Sequence, residues 1–136
     1  MFVSTKGRYA LRVMITLAQL GNEEYHSLAK IAELQNISLK YLESIVVILS
    51  KAGMIEGVRG KGGGYRLNRK PEEYKVSEII TLAEGGIAPV SCLNGEENTC
   101  ERQGDCVTLP LWKKLDKVIN DYLDSVTLYD LINNLV

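Results

Sequence analysis

This sequence predicts a mostly α-helical fold carrying one small β-hairpin, and three observations lead there. Apolar residues return every three or four positions through most of the chain, the spacing that lines one face of an α-helix. That period breaks between residues 54 and 67, where two short apolar runs flank Arg59-Gly-Lys-Gly-Gly-Gly64. After Pro110 the apolar positions resume at steps of four, three and four, the step of a helix–helix seam.

Taken in order, Ser4 or Thr5 caps the first helix, because a side-chain oxygen there accepts from first-turn N–H groups that have no helical partner. Ala10, Val13, Met14 and Leu17 form its buried stripe, and Gly21-Asn-Glu-Glu24 ends it. Ser27 starts a short second helix with Leu28 and Ile31 facing inward. His26, the one histidine of the chain, precedes that cap and reads as a surface residue rather than a metal ligand or base. Ser38 caps a third helix running to about Lys51. Leu39, Leu42, Val46 and Leu49 are its expected buried row, with Lys40, Glu43, Ser44 and Val47 on other faces. A short helix, a tight polar turn and a longer helix with a polar start make a helix-turn-helix pattern, which small three-helix bundles share.

Ala52-Gly53 closes the third helix, Met54–Val58 reads as a strand, and Tyr65–Leu67 as the returning strand. Four glycines in the five residues 60–64 give a tip whose backbone can approach another surface closely. Arg59, Lys61, Arg66, Arg69 and Lys70 are expected to surround that tip with positive charge, and no acid occurs between Arg59 and Lys70. A hairpin in this position is a wing, so the predicted architecture is a winged helix-turn-helix. The bland alternative is a solvated hairpin. Nucleotide binding is rejected: neither G-x-G-x-x-G nor G-x-x-x-x-G-K-S/T is present, and the glycines lead back to a strand instead of opening a helix.

A fourth helix runs from Val76 to about Glu84 and stops at Gly85-Gly86. The longest helix spans about 109–125, with Pro110 at a first-turn position that suits proline. It carries two apolar stripes: Leu111, Leu115, Val118 and Tyr122 on one side, and Trp112, Ile119, Leu123 and Val126 on another. One suits the chain's own domain and the other a second copy, so this is read as a C-terminal dimerisation helix. Thr127-Leu-Tyr-Asp130 fits a capping box for a final helix.

At 136 residues the chain is one compact unit, divided here into a winged helix-turn-helix region, 1–75, and a region of cysteine loop and dimerisation helices, 76–136. The net charge of −1 conceals a split of +5 over residues 1–75 and −6 over 76–136. A basic first half suits a polyanion, which the acidic second half would repel. No apolar run approaches the ~20 residues of a membrane span, and the first residues lack a secretory signal, so a cytoplasmic location is expected. With one histidine distant from every cysteine, catalysis by a Cys–His pair has no support in the spacing, and the chain is not read as an enzyme. Asn36-Ile-Ser38 matches a glycosylation sequon, which is incidental in a cytoplasmic turn.

Three cysteines, Cys92, Cys100 and Cys106, fall within fifteen residues of a glycine- and acid-rich loop, and none occurs elsewhere. Their odd number opposes a closed disulfide framework. Three readings stand: an iron–sulfur cluster, for which thiolates are the usual ligands; a metal-free thiol switch at Cys100 or Cys106; and zinc, whose structural sites favour close C-x-x-C pairs that are missing here.

Four segments together resemble the family of small winged-helix regulators that includes IscR, NsrR and CymR. They are Ser4-Thr-Lys-Gly-Arg-Tyr-Ala10, Ile37-Ser-Leu-Lys-Tyr-Leu-Glu43, Val58-Arg-Gly-Lys-Gly-Gly-Gly-Tyr65, and the three cysteines followed by Leu111-Trp112. The resemblance covers nearly the whole chain in order. It implies a homodimeric transcription factor, a repressor, on partly palindromic double-stranded DNA. Ser38, Lys40, Tyr41 and Glu43 would then lie at the major groove, and Arg59, Gly60 and Lys61 at the minor groove. It also implies a 2Fe–2S cluster on Cys92, Cys100 and Cys106, because members with three cysteines in this loop usually hold one, whereas the CymR-like branch works without. This sequence departs from the pattern at Leu109, where IscR-like members place a ligand histidine. Nor does any Asp or Glu precede Glu23, which closes the first-helix carboxylate route of the nitric-oxide-sensing members. Glu96, Glu97, Glu101, Asp105 or a small-molecule thiol remain as fourth ligands.

Overall fold

The computed structural model describes residues 3–95, 101, 102 and 104–136. Six helices and one two-stranded antiparallel hairpin follow in the order α1 (Thr5–Leu20), α2 (Leu28–Gln35), α3 (Leu39–Lys51), β1 (Ile55–Val58), β2 (Gly64–Leu67), α4 (Val76–Glu84), α5 (Leu109–Ser125) and α6 (Leu128–Ile132). Each expected serine cap is made. Ser4 Oγ accepts from Gly7 N–H at 3.3 Å, Ser27 Oγ from Lys30 N–H at 3.2 Å and Ser38 Oγ from Tyr41 N–H at 3.1 Å. The Thr127–Asp130 capping box closes in both directions, at 3.0 and 3.1 Å. Asn36, at φ 52°, turns the chain sharply between α2 and α3, a left-handed conformation that asparagine tolerates.

The core is built on α1. Val13, Met14 and Leu17 are fully buried there against Leu42, Ile45 and Leu49 of α3, with Ile31, Leu67, Ile79 and Leu128 joining the same cluster. Each side chain of this size stabilises by roughly 1.5–3 kcal/mol when taken out of water. α1 packs extensively on α4 and also on α6. Backbone bonds tie the late chain back to the wing's exit, with Val76 N–H to Val126 C=O at 2.9 Å and Leu128 N–H to Tyr74 C=O at 3.1 Å.

Two expectations need correction. Leu39 is 46% exposed, and the inner row of α3 is Leu42, Ile45, Val46 and Leu49. Four residues spaced 3, 1 and 3 apart fill the stripe facing α1, which leaves Leu39 at the edge of the first turn. His26 is not a surface residue but only 3% exposed. Its backbone pairs with Tyr65 in both directions, at 2.9 and 2.8 Å, and its Nε2 lies 2.9 Å from the carbonyl oxygen of Gly21. The short extended piece before α2 therefore lies along the wing, and the imidazole fills the gap behind it.

Tyr74 fastens the wing at its root. Its buried hydroxyl lies 2.8 Å from Met54 C=O and 2.9 Å from Asn68 Oδ1, and accepts from the N–H groups of Asn68 and Arg69 at 3.1 and 3.2 Å. Met54 precedes β1, whereas Asn68 and Arg69 follow β2, so one side chain ties both ends of the hairpin.

Candidate nucleic-acid interface and cysteine loop

Ser38, Lys40 and Glu43 are exposed on α3, on the side away from the core. Ser38 spends its hydroxyl's acceptor capacity on the helix cap, yet stays at the surface. Tyr41 is half-buried, its ring packed edge-on against Tyr9 with centroids 5.8 Å apart and planes at 89°. The packing comes with its position at the α1–α3 crossing. Val47, 49% exposed, continues the same face.

Across the hairpin, Glu56 pairs with Arg66 and Val58 with Gly64, which leaves Arg59–Gly63 as the turn. Gly63 N–H closes that turn on Gly60 C=O at 3.0 Å. A side chain at Gly63 would run into the carbonyls of Val58 and Gly60. One at Gly64, whose φ is +147°, would run into the backbone of His26. These two glycines are therefore required by the fold of the wing. Arg59, Gly60 and Lys61 stand exposed at the tip.

The expected ring of five bases around the tip does not form. Arg66 lies at the root, where its Nε is 2.6 Å from Glu56 Oε1 and its guanidinium covers the Tyr25 ring at 4.3 Å. The bond to Glu56 holds the Arg66 pKa above its ordinary value. Arg69 packs over Tyr74 at 4.3 Å and reaches Glu78 at 3.8 Å. Charge pairing across the sheet register explains the first, and cation–π stacking the second. Arg59 and Lys61 remain as the tip's cations.

α5 divides as expected. Ile119 and Leu123 pack with Val76, Ile80, Ile87 and Val126. Leu111, Leu115, Val118 and Tyr122 face outward, 58%, 39%, 64% and 56% exposed. Four apolar side chains at seam spacing form a stripe that this chain leaves uncovered.

Between α4 and α5 runs the cysteine loop. Cys92 sits half-buried in a 3-10 turn, Ser91–Leu93, and Cys106 half-buried just before α5. Cys100, with Glu96 and Glu97, lies outside the described residues. Thr108 Oγ1 is 3.4 Å from Cys106 Sγ, and this bond, helped by the backbone N–H groups of Thr108 and Leu109 and by Arg102, holds the Cys106 pKa below the usual thiol value. Its thiolate is favoured, as a metal ligand or a reactive thiol requires. Leu109 packs inward at the start of α5, so it offers the loop an apolar contact and no donor. Glu101 and Asp105 are exposed. Among the described residues, no three His, Cys, Asp or Glu side chains gather as a metal site. The donor chemistry of Cys92 and Cys106 fits a thiolate-bound centre.

Three features went unanticipated. Glu84 Oε1 accepts from both Ser4 N–H, at 2.8 Å, and Ser4 Oγ–H, at 2.7 Å, so the end of α4 is fastened to the start of α1. Eighty positions separate the two, and no local pattern announces the pairing. Tyr74's role at the wing root is equally non-local. Arg8 and Arg12 were legible as an exposed i, i+4 pair on the polar side of α1, had that side been read as closely as the apolar one.

The Rrf2 family model, described as an iron-dependent transcriptional regulator, matches residues 3–134. The chain belongs to the Rrf2 family. Among curated relatives, the HTH-type transcriptional regulator IscR of Aliivibrio salmonicida is 39% identical over 132 residues, covering 97% of this chain and 77% of its own. Among solved structures, CymR of B. subtilis, a global cysteine regulator, superposes with a TM-score of 0.79 at 38% identity and 98% coverage of each chain. IscR of T. potens gives 0.77 at 38% identity, covering 100% of this chain and 89% of its own. An oxidised form of Staphylococcus aureus CymR gives 0.73 at 39% identity, covering 97% of this chain and 96% of its own. This Rrf2 protein is accordingly a winged-helix, DNA-binding transcriptional regulator and not an enzyme. Among its described residues, no helix is long and apolar enough to cross a membrane.

Proposed function

We propose that this Rrf2 protein acts as a homodimeric repressor on partly palindromic operator DNA, and that a 2Fe–2S cluster on Cys92, Cys100 and Cys106 sets its affinity. One observation carries the DNA geometry: α3 presents Ser38, Lys40 and Glu43 outward while the adjacent wing presents Arg59 and Lys61. A helix of this kind fits the major groove, with half-sites about one helical turn apart. Lys40 can donate to guanine or to a phosphate, and Glu43 can accept from cytosine N4. Tyr41 would reach the groove with its hydroxyl while its ring rests on Tyr9. Arg59, beside Gly60, suits a narrow minor groove, where negative potential is concentrated. The apolar stripe of α5 supports the dimer, because it continues past what the chain's own fold covers.

For the cluster, Cys92 and Cys106 supply half-exposed thiols, and the Cys106 thiolate is favoured by its hydrogen bonds. When bound, a 2Fe–2S centre supplies a redox-active group whose gain or loss changes the order of the loop joining α4 to the dimer helix. Leu109 leaves the fourth ligand to Glu96, Glu97, Glu101, Asp105 or a small thiol. The lowered Cys106 thiol also favours a second reading, a metal-free thiol switch, and the likeness to an oxidised CymR structure supports it.

Anaerobic purification with iron and sulfide analysis, an absorption spectrum and DNA binding separates the two readings. Visible charge-transfer bands with about two irons per chain, and a DNA affinity that changes when they are bleached, are expected. A colourless protein that stays iron-free after anaerobic reconstitution would overturn the cluster and leave the thiol switch.

A further inference from the structure

The first helix carries a basic face that the winged-helix reading above leaves unused. Arg8 and Arg12 are one turn apart on α1, both exposed, on the side opposite Ala10, Val13 and Met14. Residues at i and i+4 of a helix are surface neighbours. Arg8 donates to Thr5 Oγ1 at 3.3 Å, which holds its guanidinium along the same face. Arg12 lies over the Tyr9 ring, 4.7 Å from the centroid, and that ring in turn packs edge-on against Tyr41 at 5.8 Å. The guanidinium is thus fixed beside the first turn of α3, the turn that begins with Ser38 and carries Lys40.

Charge around this face is of one sign. No Asp or Glu precedes Glu23, and among the described residues neither guanidinium has a carboxylate within ion-pair distance. By contrast, Arg66 and Arg69 are each held by a carboxylate at the root of the wing. An arginine stacked on an aromatic ring with no acid beside it keeps its forked N–H donors for an outside partner. A planar fork matches phosphate oxygens in particular.

We propose that Arg12, with Arg8 one turn away, binds the phosphates that flank the major groove entered by α3. The protein would then grip the duplex at three places: base edges through α3, the minor groove through Arg59, and the sugar–phosphate backbone through α1. Phosphate contacts fix register and orientation and carry no sequence information directly. Arg12 therefore sets how firmly α3 is seated, and the Tyr9–Tyr41 contact makes that seating rigid. This inference rests on the DNA-binding reading and adds two residues that the wing and recognition helix do not include.

The test is salt dependence. The full chain is titrated with a duplex that it has itself selected from a random pool, and with a scrambled duplex, at several concentrations of potassium chloride. Neutralising one phosphate contributes about 0.9 to the slope of log K against log salt. The wild-type loss of affinity between about 50 and 200 mM salt should thus shrink about 3.5-fold in Arg12→Gln and about 12-fold in Arg8→Gln/Arg12→Gln. The ratio of affinities for selected and scrambled duplex should stay as in wild type. Arg59→Ala serves as the comparison, because it tests the wing without touching α1. If wild type binds no duplex, the DNA-binding reading itself falls. If wild type binds with a steep slope and both glutamine variants keep that slope, the α1 contact is wrong while the rest stands. Should the variants keep the slope but lose dimer mass in sedimentation, the basic face belongs instead to the acidic half of a second copy, and the proposal is likewise overturned.

Discussion

Replacing Tyr74 by Phe removes one oxygen atom and nothing else from the root of the wing. The ring stays, so its full burial and its stacking under Arg69 are kept. What is lost is a hydroxyl that touches Met54 C=O, Asn68 Oδ1 and the N–H groups of Asn68 and Arg69, all between 2.8 and 3.2 Å. A hydroxyl has one proton, so it satisfies one of the two acceptors and receives the two N–H bonds. The Met54 bond is buried, and a buried carbonyl stripped of its donor costs about 1–3 kcal/mol. The bonds to Asn68 and Arg69 are partly exposed, so water replaces much of what they lose. A total of about 2–3 kcal/mol follows.

For a chain of this length, 1 kcal/mol moves the melting point by roughly 3–4 °C, which puts the expected drop near 7–10 °C. Circular dichroism melts at one fixed protein concentration measure it, because dimerisation makes Tm depend on concentration. The loss should also be local. Amides of β1 and β2 should exchange with deuterium faster in Tyr74→Phe, while those of α1 keep their protection. A variant that melts within about 2 °C of the parent, with wing exchange unchanged, would refute the idea that this hydroxyl ties the two ends of the hairpin.

Other perturbations separate the remaining parts. Arg59→Ala should weaken operator binding by roughly five- to 100-fold, the range of a 1–3 kcal/mol charged contact, with Tm and dimer mass near wild type. Val118→Glu, on the outward side of α5, should give a monomer in sedimentation at micromolar concentration instead of a species near twice 15.1 kDa, and the monomer should lose palindrome binding. In the cluster-free, reduced protein, the lowered pKa of Cys106 keeps its thiolate populated to lower pH than an ordinary thiol allows. Its alkylation by iodoacetamide, followed by mass spectrometry across pH 6–9, should therefore stay fast at the acidic end. Thr108→Val should move that profile toward higher pH.

How much of this was legible in the sequence depends on the distance over which each determinant acts. The serine caps at Ser4, Ser27 and Ser38 bond N–H groups three residues away, so a local pattern suffices. The stripes of α1 and α5 follow helical period, which is equally local. Leu39 was misplaced because period alone does not tell which of two adjacent rows meets the neighbouring helix; Ile45 took the inner place once α3 lay on α1. His26 was misread for a related reason. A lone polar residue before a cap looks solvated until β2 is known to lie along it, and that pairing joins positions 39 residues apart.

The wing's charges teach the same lesson in the opposite direction. Counted along the chain, Arg59, Lys61, Arg66, Arg69 and Lys70 are one basic run, and a run suggests one surface. Folding splits it, because strand register sets Glu56 opposite Arg66, and Tyr74 draws Arg69 down to the root. The positive charge left at the tip is smaller than the run implies, yet better placed. Two cations on a turn that tolerates no side chains at Gly63 and Gly64 can enter a groove that five spread along a hairpin could not. Specific contact with a polyanion depends on where charges are held, and here acids and aromatic rings at the root hold Arg66 and Arg69 back so that Arg59 and Lys61 project from the tip.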